Sequence, residues 1–373
     1  MLATAATGTG NANLFALGAD GSLAYSAAVS PGIGAEIAVD SQDAVYAVFA
    51  NGTISTLNII RKPLTGTSSA PPDNPACTAT NTGFVNPAAI ATISGKDVAV
   101  VASGYHSSTG NNLFLFQDQS GACGQVAAQL VPGVSGDFAG VTLASGMAFL
   151  ADTRGFSSVK QIGNGFDLTS VVTYSPPLPS SAPPSLAGGS AIFASLSTDE
   201  SVRRTTEVCS GGLACTSWQT ATGFSPAAAS SNLSFTPVFD ASNIWTVDDK
   251  GLVYAWSKDK GTLAAGFPVT LTSQAAPPVL LQAGALLVQQ DGGVTLVSPQ
   301  GTALTIWNVG SLGGAQVAPA VDTLAVGGIA YLPTPSYLYA LHVPSVPLAA
   351  SSAAWPRPGR DSCNSRNAAS LCQ

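Results

Sequence analysis

A phrase built as apolar run, Asp-Gly or Asn-Gly, apolar run returns along the chain at a spacing of roughly 40 to 50 residues. The clearest copy is Asp248-Asp249-Lys250-Gly251-Leu252-Val253-Tyr254-Ala255-Trp256, followed by Lys260-Gly261 and Gly266-Phe267-Pro268. Fainter copies are Phe49-Ala50-Asn51-Gly52-Thr53-Ile54, Leu17-Gly18-Ala19-Asp20-Gly21-Ser22-Leu23 and Gln290-Asp291-Gly292-Gly293-Val294. Helix signals are almost absent. Short apolar runs alternate with clusters of Gly, Pro, Asn and Ser, the pattern of an all-β chain. A unit of this size cannot bury its own apolar face, so the copies become stable only by packing on one another.

A second element sharpens the register: a Pro or small residue opening a short apolar strand. It occurs as Pro87-Ala88-Ala89-Ile90, Pro184-Ser185-Leu186, Pro237-Val238-Phe239-Asp240, Pro278-Val279-Leu280-Leu281 and Pro319-Ala320-Val321-Asp322. Looser versions are Ile37-Ala38-Val39-Asp40 and Gly140-Val141-Thr142-Leu143. Proline is tolerated at the first residue of a strand, where its missing N–H costs no ladder bond. Each opening is followed by a second apolar run, over 44–49, 98–102, 147–151, 191–196, 243–247, 285–289 and 328–332. The expected fold is an all-β propeller of seven blades, each a four-stranded antiparallel sheet, with eight blades as the alternative. The propeller spans 1–345, and 346–373 form a C-terminal tail packed on it. Asn13–Ser26 has the look of outer strands without an inner one, and is expected to complete the blade that begins near Pro319. Lys62–Phe84 and Tyr174–Pro184 are Pro- and Ser-rich and read as long loops over one face.

Composition excludes several jobs. Of the 373 residues, 46% are hydrophobic and only 9% are charged, against about 25% charged in ordinary soluble domains. With 13 Lys and Arg against 20 Asp and Glu, net −7, no basic field exists to attract nucleic acid. No apolar stretch has the length of a membrane span. Met1-Leu2-Ala3-Thr4-Ala5-Ala6 lacks the basic and long apolar regions of a signal peptide. An exported protein would therefore carry its signal or anchor ahead of this sequence.

The six cysteines are Cys77, Cys123, Cys209, Cys215, Cys363 and Cys372. An even count with two close pairs points to disulfides and an oxidising compartment. Cys209 and Cys215 would close a hairpin around Gly211-Gly212, and Cys363 and Cys372 would staple the tail. That leaves Cys77 with Cys123 by elimination. The alternative is six buried free thiols. Zinc is disfavoured, because no Cys-x-x-Cys occurs and His106 and His342 are the only histidines.

The copy around Asp249-Lys250-Gly251-Leu252-Val253-Tyr254-Ala255-Trp256, with Gly261 and Gly266-Phe267-Pro268, resembles the repeat of pyrroloquinoline-quinone-like β-propellers. Tyr339-Ala340-Leu341 and Phe15-Ala16-Leu17 match its aromatic-Ala-Leu step. The tail Ala354-Trp355-Pro356-Arg357-Pro358-Gly359-Arg360-Asp361 with Asn364-Ser365 resembles a segment bordering such propellers in secreted bacterial proteins. The resemblance implies either a quinone-dependent dehydrogenase or a scaffold. The enzymes carry an Ala-x-Asp-x-x-Thr-Gly-x-x-x-Trp phrase in each blade, which is missing here, as is a vicinal cysteine pair. No cofactor is expected.

Asp40, Asp240 and Asp322 occupy matching positions after their strand openings. They would form an acidic ring at a channel mouth, or accept backbone N–H groups as turn caps, the reading we favour. Gly133-Val134-Ser135-Gly136 fails the spacing of a nucleophile elbow, and His342 reads as a strand-end residue. Trp218, Trp245, Trp256, Trp307 and Trp355 suit either blade packing or a sugar-stacking platform, with Trp256 assigned to packing. The expected function is a non-catalytic, exported binding or scaffolding module at a bacterial cell surface or in an extracellular assembly, with the periplasm as the alternative location. Its partner would be protein or polysaccharide. The competing readings are a degenerate quinoprotein or polysaccharide-active enzyme, and a self-associating fibre or lattice subunit.

Overall fold

The computed structural model describes residues 2–6, 11–17, 22–31, 33–34, 37–40, 45–51, 54–60, 76–80, 88–102, 113–119, 122–129, 138–144, 146–152, 155–163, 165–173, 182–187, 191–195, 202–210, 214–218, 222–224, 235–248, 250–272, 275–290, 293–308, 320–322, 328–333 and 337–345. His106, Trp355, Cys363, Cys372 and the tail 346–373 lie outside them. The chain divides into two compact units, Met1–Thr173 and Tyr174–Ser362.

In the first unit, β1 (Leu2–Ala6), β2 (Asn11–Leu17) and β3 (Leu23–Pro31) form one sheet. The second sheet holds β4 (Ile33–Gly34), β5 (Ala38–Val39), β6 (Val45–Asn51), β7 (Ile54–Ile60) and β8 (Ala76–Thr80). The third holds β9 (Ala89–Ile93), β10 (Lys96–Ala102), β11 (Leu113–Gln119) and β12 (Ala122–Gln129). The fourth holds β13 (Phe138–Ala144), β14 (Met147–Asp152), β15 (Gly155–Ile162) and β16 (Gly165–Thr173). Val98, Val100, Leu113 and Leu115 of the third sheet pack against Val141, Leu143, Leu150 and Val159 of the fourth. Alternate strand residues thus face the neighbouring sheet, as a period of two requires.

In the second unit, the fifth sheet holds β17 (Ser185–Ala187), β18 (Ala191–Ser195), β19 (Val202–Ser210), β20 (Ala214–Trp218) and β21 (Thr222–Phe224). The sixth holds β22 (Val238–Phe239), β23 (Asn243–Val247), β24 (Leu252–Ser257) and β25 (Val269–Thr270). The seventh holds β26 (Val279–Leu280), β27 (Leu286–Gln290), β28 (Gly293–Val297) and β29 (Ala303–Asn308). The last holds β30 (Ala320–Asp322), β31 (Ile329–Pro333) and β32 (Leu338–His342). Every pairing is antiparallel, and neighbours within a sheet are mostly neighbours in sequence. The core of the sixth and seventh sheets is Trp245, Val247, Val253, Phe267, Leu280, Leu286 and Val288.

The expected strand openings hold. Six of the seven fall on the first strand of a sheet, β9, β13, β17, β22, β26 and β30, and the seventh falls on β5, which pairs β6 in the sheet that β4 begins. Pro184, Pro237, Pro278 and Pro319 each stand immediately before their strand. Thr236 adds a lateral tie, its hydroxyl donating to the Pro183 carbonyl at 2.8 Å. That bond joins the segment leading into β22 to the one leading into β17.

Three expectations are corrected. Leu2–Ala6 is a strand, so β2 pairs with β1 and β3 in a sheet of its own and has no need of strands from the Pro319 region. The described residues hold eight sheets, and these carry three, four or five strands rather than a uniform four. The stretch read as a loop over Lys62–Phe84 contains β8, paired with β7 so that Leu57 faces Cys77. Its Cys and Thr residues suit a pleated edge, but the Pro-rich run ahead of it hides the strand in the sequence.

Candidate functional site

The Asp-Gly phrase resolves into a turn built from an acceptor side chain and a glycine three residues later. Asp248 Oδ1 receives the N–H groups of Lys250 at 2.9 Å and Leu252 at 2.7 Å. Its Oδ2 receives the Tyr254 hydroxyl at 3.3 Å. Gly251 completes the turn at φ 81°, a conformation costly for any residue with a Cβ. The seventh sheet repeats the device with a neutral acceptor: Ser298 Oγ receives the N–H groups of Gln300 at 3.3 Å and Thr302 at 3.0 Å, and Gly301 takes φ 80°. Leu281 to Ala285 has the same backbone bonds without a side-chain acceptor, with Gly284 at φ 73°. Ser94 and Gly95 make the tighter two-residue version between β9 and β10, both at positive φ.

Asp248 is fully buried, so this carboxylate has no water to fall back on. Asp248→Ala is expected to cost about 2 kcal/mol, because two backbone donors and the Tyr254 hydroxyl lose a buried acceptor. Ser298→Ala, at the half-buried neutral counterpart, is expected to cost less than about 1 kcal/mol. Urea denaturation of the two variants measures the difference.

Two of the three acidic candidates, Asp40 and Asp240, are occupied locally. Asp40, itself buried, receives the Tyr46 hydroxyl at 3.0 Å. The spacing repeats that of Asp248 and Tyr254: in both, the aspartate stands two residues beyond the tyrosine's cross-strand partner. Asp240 Oδ1 receives Ser242 N and Asn243 N, both at 2.7 Å, the turn role favoured from sequence. Lys258 donates to the Asp240 carbonyl at 3.1 Å and lies over the Phe239 ring. Asp322 is the last residue of β30, opposite Ile329. Among the described residues no group of three His, Cys, Asp or Glu is arranged to hold a metal ion. Half-buried Asp167 is held below the usual carboxylate range chiefly by the Thr169 hydroxyl, which donates at 2.6 Å, and by the Thr169 N–H at 3.0 Å.

The tryptophans divide. Trp245 and Trp256 are buried, the first edge-on to Phe267 at 5.4 Å and the second stacked on Tyr254 at 5.4 Å. Trp218 ends β20 opposite Glu207. Trp307 is half-buried on β29 and meets Tyr339 of β32 at 4.8 Å, while Tyr339 meets Tyr337 at 5.9 Å. Tyr337 is 67% exposed, and Leu304 on the same β29 is 62% exposed. This aromatic cluster, with the uncharged outer strand beside it, is the candidate binding surface. Sequence reading named Trp307 as a packing or stacking residue but not the two tyrosines beside it. Their trace was the alternation Tyr337-Leu338-Tyr339, which puts both tyrosines on one side of a strand. His342 ends β32 and is exposed, as a strand-end residue should be.

The cysteines on strands hold informative positions. Cys209 and Cys215 are cross-strand partners in the β19–β20 hairpin. Cys77 and Cys123 are on β8 and β12, outer strands of the second and third sheets that lie against each other.

Repeated small antiparallel sheets, of which the third and fourth, the sixth and seventh, and the seventh and eighth pack on each other through alternating apolar residues, mark a β-propeller. The fold is similar to that of BamB from Moraxella catarrhalis, with a TM-score of 0.58 and 13% identity over 91% of this chain and 92% of that one. It is also similar to the WD40 domain of coronin from Toxoplasma gondii, with a TM-score of 0.55 and 13% identity over 89% of this chain and 86% of that one. A third similar structure is the extracellular domain of a one-component system from B. thetaiotaomicron, with a TM-score of 0.51 and 12% identity. The match covers 91% of this chain but only 39% of that longer one. No family model and no curated protein matches the sequence. Among the described residues no helix is long and apolar enough to cross a membrane.

Proposed function

We propose that the chain is an exported, non-catalytic propeller of the pyrroloquinoline-quinone-like type that scaffolds a protein partner at a bacterial surface or in the periplasm. Each sheet is read as one blade, which makes eight. The observation that carries the proposal is the placement of the cysteines. Cys209 and Cys215 are cross-strand partners, and facing Cα atoms in an antiparallel pair stand about 4.5–5.5 Å apart, within the Cα range that a disulfide spans. The abutting strands β8 and β12 supply the second pair, Cys77 with Cys123, for a reason independent of elimination. Both pairs belong to an oxidising compartment.

The binding role is supported by where the acidic groups are used. Asp40, Asp240 and Asp248 each serve their own hairpin, whereas Trp307 and Tyr339 rest on the core at one edge of the last two sheets and carry the cluster out to exposed Tyr337. Trp307, Tyr339 and Tyr337 are inclined to one another by 58° and 53°. They form a wedge rather than the flat plane on which a sugar ring stacks, which favours protein over polysaccharide. The similar structures include BamB and an extracellular domain, consistent with a place outside the cytoplasm.

Calorimetric titration with calcium and with pyrroloquinoline quinone separates this reading from the quinoprotein one. Neither is expected to bind with defined stoichiometry. One equivalent of quinone bound in the presence of calcium would return the chain to the dehydrogenases.

A further inference from the structure

The outer strand β29 carries Ala303-Leu304-Thr305-Ile306-Trp307-Asn308, six residues without a charge or a proline in a chain of net −7. Natural edges are guarded by charge, proline, shortness or irregularity. Among the outer strands, β25 has two residues, β16 carries Asp167 beside a break in its register, β20 is uncharged but pairs through a register shift, and the uncharged β8 and β12 lie against each other. In β29 the one irregularity falls at Ile306, beyond a regular run from Ala303 to Thr305.

The direction of the backbone in that run follows from the turn before it. Ser298 N–H donates to the Thr302 carbonyl at 2.8 Å, which makes those two residues a hydrogen-bonded pair. Hydrogen-bonded and open pairs alternate along an antiparallel ladder. Leu304, opposite Leu296, is therefore bonded inward to β28, while Ala303 and Thr305 turn their N–H and C=O groups outward. The hydroxyls of Thr295 and Thr305 approach to 3.4 Å, in keeping with the closer spacing of an open pair. The sheet ends at β29 among the described residues, and Ala303, Leu304 and Thr305 are all exposed.

We infer that β29 is a docking edge for an extended, uncharged segment of the protein partner, which adds to the seventh sheet as a further antiparallel strand. The occupant is fixed by what the edge offers. Outward N–H and C=O groups in strand register are matched by another backbone, and alternate side chains of that backbone would settle against Leu304 and the Trp307–Tyr339–Tyr337 wedge. The inference rests on the scaffold reading and names its contact site.

The test uses the full chain and a fluorescent peptide reproducing Gly293–Pro299, which contains the sequence that already complements β29 on its inner side. Anisotropy should report binding below ~1 mM and none for the same peptide N-methylated at alternate residues. Thr305→Pro removes an outward donor without touching the β28 ladder, and proline is accepted on edges. It should weaken binding about tenfold or more with little change in the urea midpoint. Leu304→Lys, which adds a guarding charge to a side chain already in water, should weaken it too and serves if the proline variant is unstable. Absence of binding, equal binding by both variants, or retained binding of the methylated peptide would overturn the inference. So would a dimer in sedimentation that Thr305→Pro abolishes, since the occupant would then be a second copy. Any of these results obtained on protein with Cys209 and Cys215 paired removes this edge and leaves the exported-scaffold reading standing.

Discussion

Replacing Trp256 by alanine is expected to destabilise the protein by about 3–5 kcal/mol, the range for emptying a buried tryptophan site. Trp256 is 1% exposed, faces Ile244 across the β23–β24 ladder, and stacks nearly parallel on Tyr254 with 8° between the ring planes. The same tyrosine donates its hydroxyl to Asp248, so removing the indole loosens both a packed face and the group that finishes the turn. Trp256→Phe keeps most of the ring contact and should cost about 1–2 kcal/mol. Urea denaturation followed by circular dichroism measures both. A loss below about 1 kcal/mol for the alanine variant would mean that the ring is a surface platform and not part of the core.

Gly301→Ala is expected to cost about 3–4 kcal/mol, far more than a turn glycine normally does. Two effects add. At φ 80° an alanine is strained by about 1–2 kcal/mol. Its Cβ would also collide with the backbone of Gly266, and a Cβ on Gly266 would in turn collide with Gln300. Relief requires moving the Gly266 turn, which is followed directly by Phe267, the ring set edge-on against Trp245 in the core. Gly146→Ala provides the comparison. It has φ 73° and no atom within 4 Å of the added Cβ, so only the conformational part remains, about 1 kcal/mol. Equal losses for the two variants would show that the contact between the sixth and seventh sheets yields easily.

The strand order was legible where its signals were local. A proline next to an apolar run marks a strand start within a few residues, and all the openings read in this way lead sheets. Leu2–Ala6 escaped because Leu-Ala-Thr-Ala-Ala has little β-propensity, so only its pairing with Ala12–Ala16 makes it a strand. The turns were legible for an incomplete reason. Weight placed on the Asp-Gly dipeptide picks out the glycine, but the chemistry lies in an acceptor three residues earlier, and Ser298 serves as well as Asp248. The aromatic wedge was the hardest part to read. Trp307 and Tyr339 are 32 positions apart, and nothing in either local sequence says that their sheets are adjacent.

Cysteine placement links the fold to the proposed location, so it offers the most direct test. Mass mapping of the native protein, digested without reduction and with free thiols blocked beforehand, reports every pair at once. The exported-scaffold account predicts a peptide linking Cys209 to Cys215 and another linking Cys77 to Cys123. Six blocked thiols with no linked peptide would contradict it.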